Sequence, residues 1–122
     1  MFSPRQWWLM SKHDPELAMH QLLAYAREAV EISRGKTRKD LDQDRLFNLA
    51  LTRLVEVIGE AANRVPEDVQ AAYPDLPWMA MIGARNRLIH GYDHVDFDIL
   101  WNIVHNDLPA LIKRLEKIVS KE

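Results

Sequence analysis

The sequence predicts an all-α fold, a five-helix up-and-down type bundle, on three observations. Apolar residues recur at three- and four-residue spacing along most of the chain, the period of a helix with one buried face. Aspartate, proline and glycine fall between those runs, where helix ends need caps and stops. Strand signals are almost missing, with no alternating Val/Ile/Thr run and no Asn-Gly or Asp-Gly turn.

The elements follow in order. Asp14 is placed to cap a first helix, with Pro15 at its first position and Glu16 at the positive end of its dipole. Leu22, Leu23, Ala26 and Val30 supply its apolar side, and Gly35 its C-cap. A basic loop, residues 34–39, leads to a second helix over residues 41–63. The expected stripe of that helix is Leu46, Leu49, Ala50, Leu54, Val55, Ile58 and Ala62. Pro66 opens a short third helix to about residue 73, and Pro77 a fourth through Trp78, Met81, Ile82, Leu88 and Ile89, ending near Gly91. Asp96 caps the last helix, whose apolar side is Leu100, Ile103, Val104, Leu111, Leu115, Ile118 and Val119. Pro109 lies inside it and predicts a kink, because it removes a backbone donor and crowds the preceding turn.

Composition narrows what such a bundle does. The 122 residues suffice for one core, and 48% apolar with 28% charged content excludes disorder. Residues 14–122 are expected to form the single domain and residues 1–13 a poorly ordered leader, with Met10 as a second candidate start. The longest apolar run, residues 78–84, is far too short to span a bilayer, and no signal peptide is evident. A cytoplasmic protein with no membrane partner is the expectation. The absence of cysteine excludes disulfides, Fe–S clusters and a thiol nucleophile. A net charge of −2 means that any nucleic-acid binding rests on a local patch.

One segment gathers groups that carry chemistry: residues 85–92, RNRLIHGY. Arginine presents a planar fork of donors to phosphate oxygens, and histidine moves protons near neutral pH. Arg85, Asn86 and His90 contain the parts for phosphodiester cleavage by an RNA 2′-hydroxyl, with no cofactor or metal called for. The ordinary alternative is that Arg85, Arg87 and His90 merely complement a helix dipole. At roughly 100° per residue, Asn86 and His90 share a helical face, whereas Arg85 lies about 140° from His90 and about 20° from Tyr92. Either the helix relaxes at Gly91, or a second subunit completes the cleft.

The Arg-x4-His-x-Tyr spacing of Arg85, His90 and Tyr92 resembles the signature of the HepT-like toxins, small ribonucleases of the HEPN superfamily. The blocks Val57-Ile58-Gly59-Glu60-Ala61-Ala62, Leu76-Pro77-Trp78 and YDHVDFDILW from Tyr92 agree, so the similarity runs from about Asp14 to the C-terminus. The resemblance implies a homodimer whose motifs meet in one cleft and cut RNA without metal. Arg85 and His90 match the catalytic pair, with Asn86 as the polar residue beside them. It also implies a minimal nucleotidyltransferase antitoxin that silences the toxin by transferring AMP to the hydroxyl of Tyr92. A non-catalytic nucleotide- or RNA-binding module that docks the nucleotidyltransferase is the alternative function, and a plain helical scaffold a third.

Outside the motif, Arg87 and the loop cations Arg34, Lys36, Arg38 and Lys39 are candidate RNA-backbone contacts, as is the stripe Lys113, Arg114, Lys117 and Lys121. Asp93, His94, Asp96 and Asp98 suggest metal ligands less well than helix-capping groups. Glu56, Glu60 and Arg64 form an expected ion-pair ladder, with Glu60 a candidate to orient Arg85. Trp78 and Trp101 are expected as core or interface anchors.

Overall fold

A computed structural model describes residues 15–90 and 94–120, with His90 described by its backbone alone. The expected leader, the Asp14 cap, Gly91, Tyr92, Asp93 and Lys121 lie outside the described residues. The architecture is all-α, and each of the five predicted helical runs is helical. Three of them are broken in ways that decide where side chains face. No helix among the described residues is long and apolar enough to cross a membrane.

Helix α1 (Pro15–Ile32) buries Met19, Leu22, Leu23, Ala26 and Ala29. After it the chain reverses at Gly35, whose φ of 76° belongs to the left-handed region that glycine adopts without strain. The second predicted helix is two helices, α2 (Arg38–Gln43) and α3 (Arg45–Asn63). Asp44 separates them in an extended conformation, and its carboxylate accepts from the Phe47 N–H at the start of α3. This new start rotates the buried face away from the expected stripe. Phe47, Asn48, Leu51, Val55, Ile58, Ala61 and Ala62 point inward, whereas Leu46 and Leu49 are 81% and 49% exposed and Ala50 is exposed. The polar Asn48 disguised this phase. It is buried, its Nδ2 donates to the Leu41 carbonyl at 2.9 Å, and its Oδ1 accepts from Arg45 at 3.1 Å.

Short α4 (Glu67–Ala72) leads to a turn where the buried Trp78 donates its Nε1–H to the Tyr73 carbonyl, 3.0 Å away. The fourth predicted helix is divided at Gly83 into α5 (Trp78–Ile82) and α6 (Ala84–Leu88), and it stops at Leu88 rather than near Gly91. Beyond it the near-absence of strand signals misses a small feature. Ile89–His90 (β1) pairs antiparallel with His94–Val95 (β2), in register Ile89 to Val95 and His90 to His94. Asp96 then caps α7 (Phe97–Asn102), accepting from the N–H groups of Asp98 and Ile99. The expected disturbance at Pro109 takes the form of a π-helical turn, Ile103–Asp107, before α8 (Leu108–Val119). Proline offers no N–H to the carbonyl four residues back, and the wider turn relieves the crowding.

Helix α1 packs against both α3 and α8, and α3 carries α5 and α6 on its far half, while α2 rests on α7. The core is continuous from Met19 through Leu51, Trp78 and Leu100 to Leu115. At the α3–α5 contact the backbones come so close that a Cβ on Gly59 would lie 2.7 Å from the Met81 carbonyl oxygen. That approach seats α5, and through it the motif helix α6.

Candidate functional site

Ala84 and Leu88, one helical turn apart, are the buried anchors of α6. Their inward direction forces Arg85, Asn86 and Arg87 to the exposed side. The helix end is held by the Asp96 N–H, which donates to the Leu88 carbonyl at 2.7 Å. His90 is therefore on a strand, and the helical-wheel relation drawn from the sequence between Asn86 and His90 does not apply. The extended Ile89 (φ −100°, ψ 117°) makes the change. Tyr92 lies outside the described residues.

Arg85 is 67% exposed, and its Nε stands 3.8 Å from Oε2 of Glu56, which is only 19% exposed. Glu56 thus occupies the orienting position that the sequence suggested for Glu60. Arg53 replaces Arg64 as the cation of the ladder, reaching Glu60 at 3.2 Å and Glu56 at 3.8 Å. Between α3 and the β1–β2 pair runs an open groove of about 860 Å³ whose walls include Arg45, Arg53, Glu56, His94 and Asp98. From the sequence alone, His94 has only a disfavoured role as a metal ligand. It is exposed, lines this groove and is the register partner of His90. The fold carries the signal that it lacked in the sequence.

The loop cations are less available than their sequence suggests. Arg38 donates to Asp98 at 2.7 Å and to Asp42 at 3.1 Å. The Asp98 hydrogen bond foremost raises its pKa above the ordinary arginine value. Arg34 pairs with Glu31 at 2.9 Å and Lys36 with Asp44 at 3.8 Å, while Lys39 is exposed. Asp96 serves as the cap of α7, and Asp98 as the partner of Arg38. Arg87 points away from this groove into a second one, between α5–α6 and the π turn. Of the tryptophans, Trp78 is core, while half-buried Trp101 stacks on exposed His105 with ring centres 3.7 Å apart.

Chemically, the groove presents the guanidinium groups of Arg45 and Arg53, the Glu56 carboxylate and the His94 imidazole, and Arg85 adjoins it through Glu56. Such a set binds phosphate oxygens and moves protons. The family model described as "Ribonuclease HepT-like" matches residues 22–118. A Methanocaldococcus jannaschii protein named a "Putative RNase" is 33% identical over 107 residues, 88% of this chain and 98% of its own length. A Thermococcus cleftensis protein named "Probable ribonuclease HepT" is 37% identical over 95 residues, 75% of this chain and 86% of its own. A Caldanaerobacter subterraneus protein, again named a "Putative RNase", is 29% identical over 88% of this chain and 96% of its own. No solved structure matches.

Proposed function

This chain belongs to the HepT-like ribonuclease family and is a ribonuclease; we propose that it is the toxin of a toxin–antitoxin pair, cutting RNA internally through Arg85, Asn86 and His90. The observation that carries the reading is the exposure of Arg85 and Asn86 at the end of a helix whose next residues form the strand bearing His90. In the proposed step the His90 imidazole takes the proton of a ribose 2′-hydroxyl, and that oxygen attacks the adjacent phosphorus. The bond from phosphorus to the 5′-oxygen breaks, and the leaving oxygen is protonated by an imidazolium. Arg85 stabilises the extra negative charge on phosphorus, with Asn86 holding a non-bridging oxygen. Each residue supplies its part without a metal.

The cleft is completed in a homodimer, in which two copies of the motif double each group. The exposed Leu46 and Leu49 on α3, beside the groove that reaches Glu56, support a self-association face there. A minimal nucleotidyltransferase is the antitoxin partner. It silences the enzyme by placing AMP on Tyr92, which adds an anion two residues beyond His90 in the chain. Arg87 contacts the RNA backbone directly. Arg34, Lys36, Arg38 and Lys39 act as an auxiliary surface, weakened because three of them already face carboxylates.

Expression in a host without the antitoxin tests the reading. Wild type should arrest growth and degrade RNA, while Arg85→Ala and His90→Ala should lose both by a hundredfold or more, the scale of acid–base and charge-stabilising groups. Equal harm from wild type and His90→Ala would favour a binding module over a nuclease. Tyr92→Phe should stay toxic and resist modification by the partner.

A further inference from the structure

Arg85 and Arg87 sit two residues apart on α6, so at roughly 100° per residue their side chains leave the helix about 200° apart. Arg85 faces α3 and Glu56. Arg87 faces a separate groove of about 400 Å³ between α5–α6 and the turn joining α7 to α8. The floor of this second groove is apolar, formed by Met81, Ala84, Ile103 and Leu111. Its rim is polar, carrying Asn102, Asn106, Arg114 and one carboxylate, Asp107. The guanidinium of Arg114 donates to the Asp75 carbonyl at 2.8 Å, on the side of α8 that it shares with Lys117 and Ile118.

The two asparagines are organised by the π turn, which departs from α-helical register where their side chains meet the groove. Asn106 Nδ2 donates to Asn102 Oδ1. That bond leaves Asn106 Oδ1 able to accept and Asn102 Nδ2 able to donate, besides the second N–H of Asn106 and the second lone pair of Asn102 Oδ1. An adjacent acceptor and donor over an apolar floor match the edge and faces of a nucleobase, and single-stranded RNA is read in this way, by unstacked bases. The two arginines supply the charge complement for the phosphates on either side of that base.

We propose that this second groove is a base-reading subsite for an RNA nucleotide a few positions from the cleaved bond. A strand that lays its scissile phosphate on Arg85 rounds α6 past Arg87, and a base a few nucleotides along enters between Asn102–Asn106 and the Met81 floor. The inference rests on the nuclease reading of Arg85 and His90 and adds to it the groups that choose where the enzyme cuts.

The test is to digest a random-sequence RNA pool with the full-length enzyme and sequence the cut ends. Wild type should prefer one base at a single flanking position by roughly fivefold or more, the effect of one well-placed amide–base pair. The double variant Asn102→Ala/Asn106→Ala should flatten that preference, read as a ratio between sites and so independent of overall rate. Asn106→Asp, which converts the amide to an acceptor-only group, should change which base is favoured. Arg87→Ala should raise KM and lower the salt slope of RNA binding by about one. A wild type with no flanking preference, or a double variant that keeps it, overturns the subsite. Undiminished cutting by Arg85→Ala would overturn instead the underlying active-site reading.

Discussion

Single residues hold the site in place through contacts that sequence spacing conceals. Glu56 faces Arg85 at 3.8 Å from a mostly buried position. It can therefore steer the guanidinium while pairing only weakly with it, since exposed pairs contribute about 1 kcal/mol at most. Gly59 matters for the opposite reason, the room that it leaves. A Cβ there would meet the Met81 carbonyl at 2.7 Å, and backbone cannot swing aside as a side-chain end can. Gly59→Ala is expected to destabilise the fold by about 1–3 kcal/mol, as overpacking does, despite the better helix propensity of alanine. Urea denaturation measures it, and a variant as stable as wild type would show that α5 is not seated by this contact. Because α5 leads directly into α6, cutting should fall along with stability.

At the level of elements, the helix breaks do the positioning. Asp44 ends α2 and starts α3, so the two helices take independent phases. Thr37 marks the start of α2: its N–H and hydroxyl both donate to Asp40, at 2.6 and 3.2 Å. The backbone hydrogen bond foremost holds the Asp40 carboxyl below the usual carboxylate range. A carboxyl whose pKa is lower in the folded chain stabilises fully above its unfolded value, and that stabilisation is lost as the pH falls through the folded value. Wild type should therefore be more stable than Asp40→Asn at neutral pH. The difference should vanish on acidification below the ordinary value of 3.8, as followed by thermal melts. A difference that persists in acid would assign the effect to packing instead. The break at Gly83 and the stop at Leu88 act in the same way on the site. They turn a continuous helix into a short one followed by a strand, and so set Arg85, Arg87 and His90 on different courses.

For the whole molecule, the proposed dimer raises the question of which surface would meet a second copy. Helix α3 buries one face against α1 and α5 and leaves Leu46 and Leu49 uncovered on another. Exposed substitutions of this kind usually change stability by no more than about 0.5 kcal/mol, so the interface can be tested without unfolding the chain. Leu46→Glu/Leu49→Glu should weaken self-association at least tenfold in analytical ultracentrifugation and lower RNA cleavage in parallel. A dimer of unchanged strength would move the interface elsewhere, and a monomer with full activity would remove the need for a shared cleft.

The sequence alone made legible the helical class, the five helical runs and the Asp96 and Gly35 ends, because periodicity, caps and breakers are local properties. It also exposed the candidate motif, since Arg85, Asn86 and His90 are close along the chain. Other features depended on the tertiary structure. The inward face of the first half of α3 turned on Asn48, a polar residue buried only because the Leu41 carbonyl and Arg45 satisfy it. The partner of Arg85 depended on which of two carboxylates a neighbouring helix brings within reach. The strand at His90 formed because β2 returns to pair with it, and the groove beside Arg87 because α5, α6 and the π turn converge there. Spacing along a chain fixes what one helix can present to its own next turn. What faces it from another element is set only when the core closes and fixes the depth and rotation of each helix.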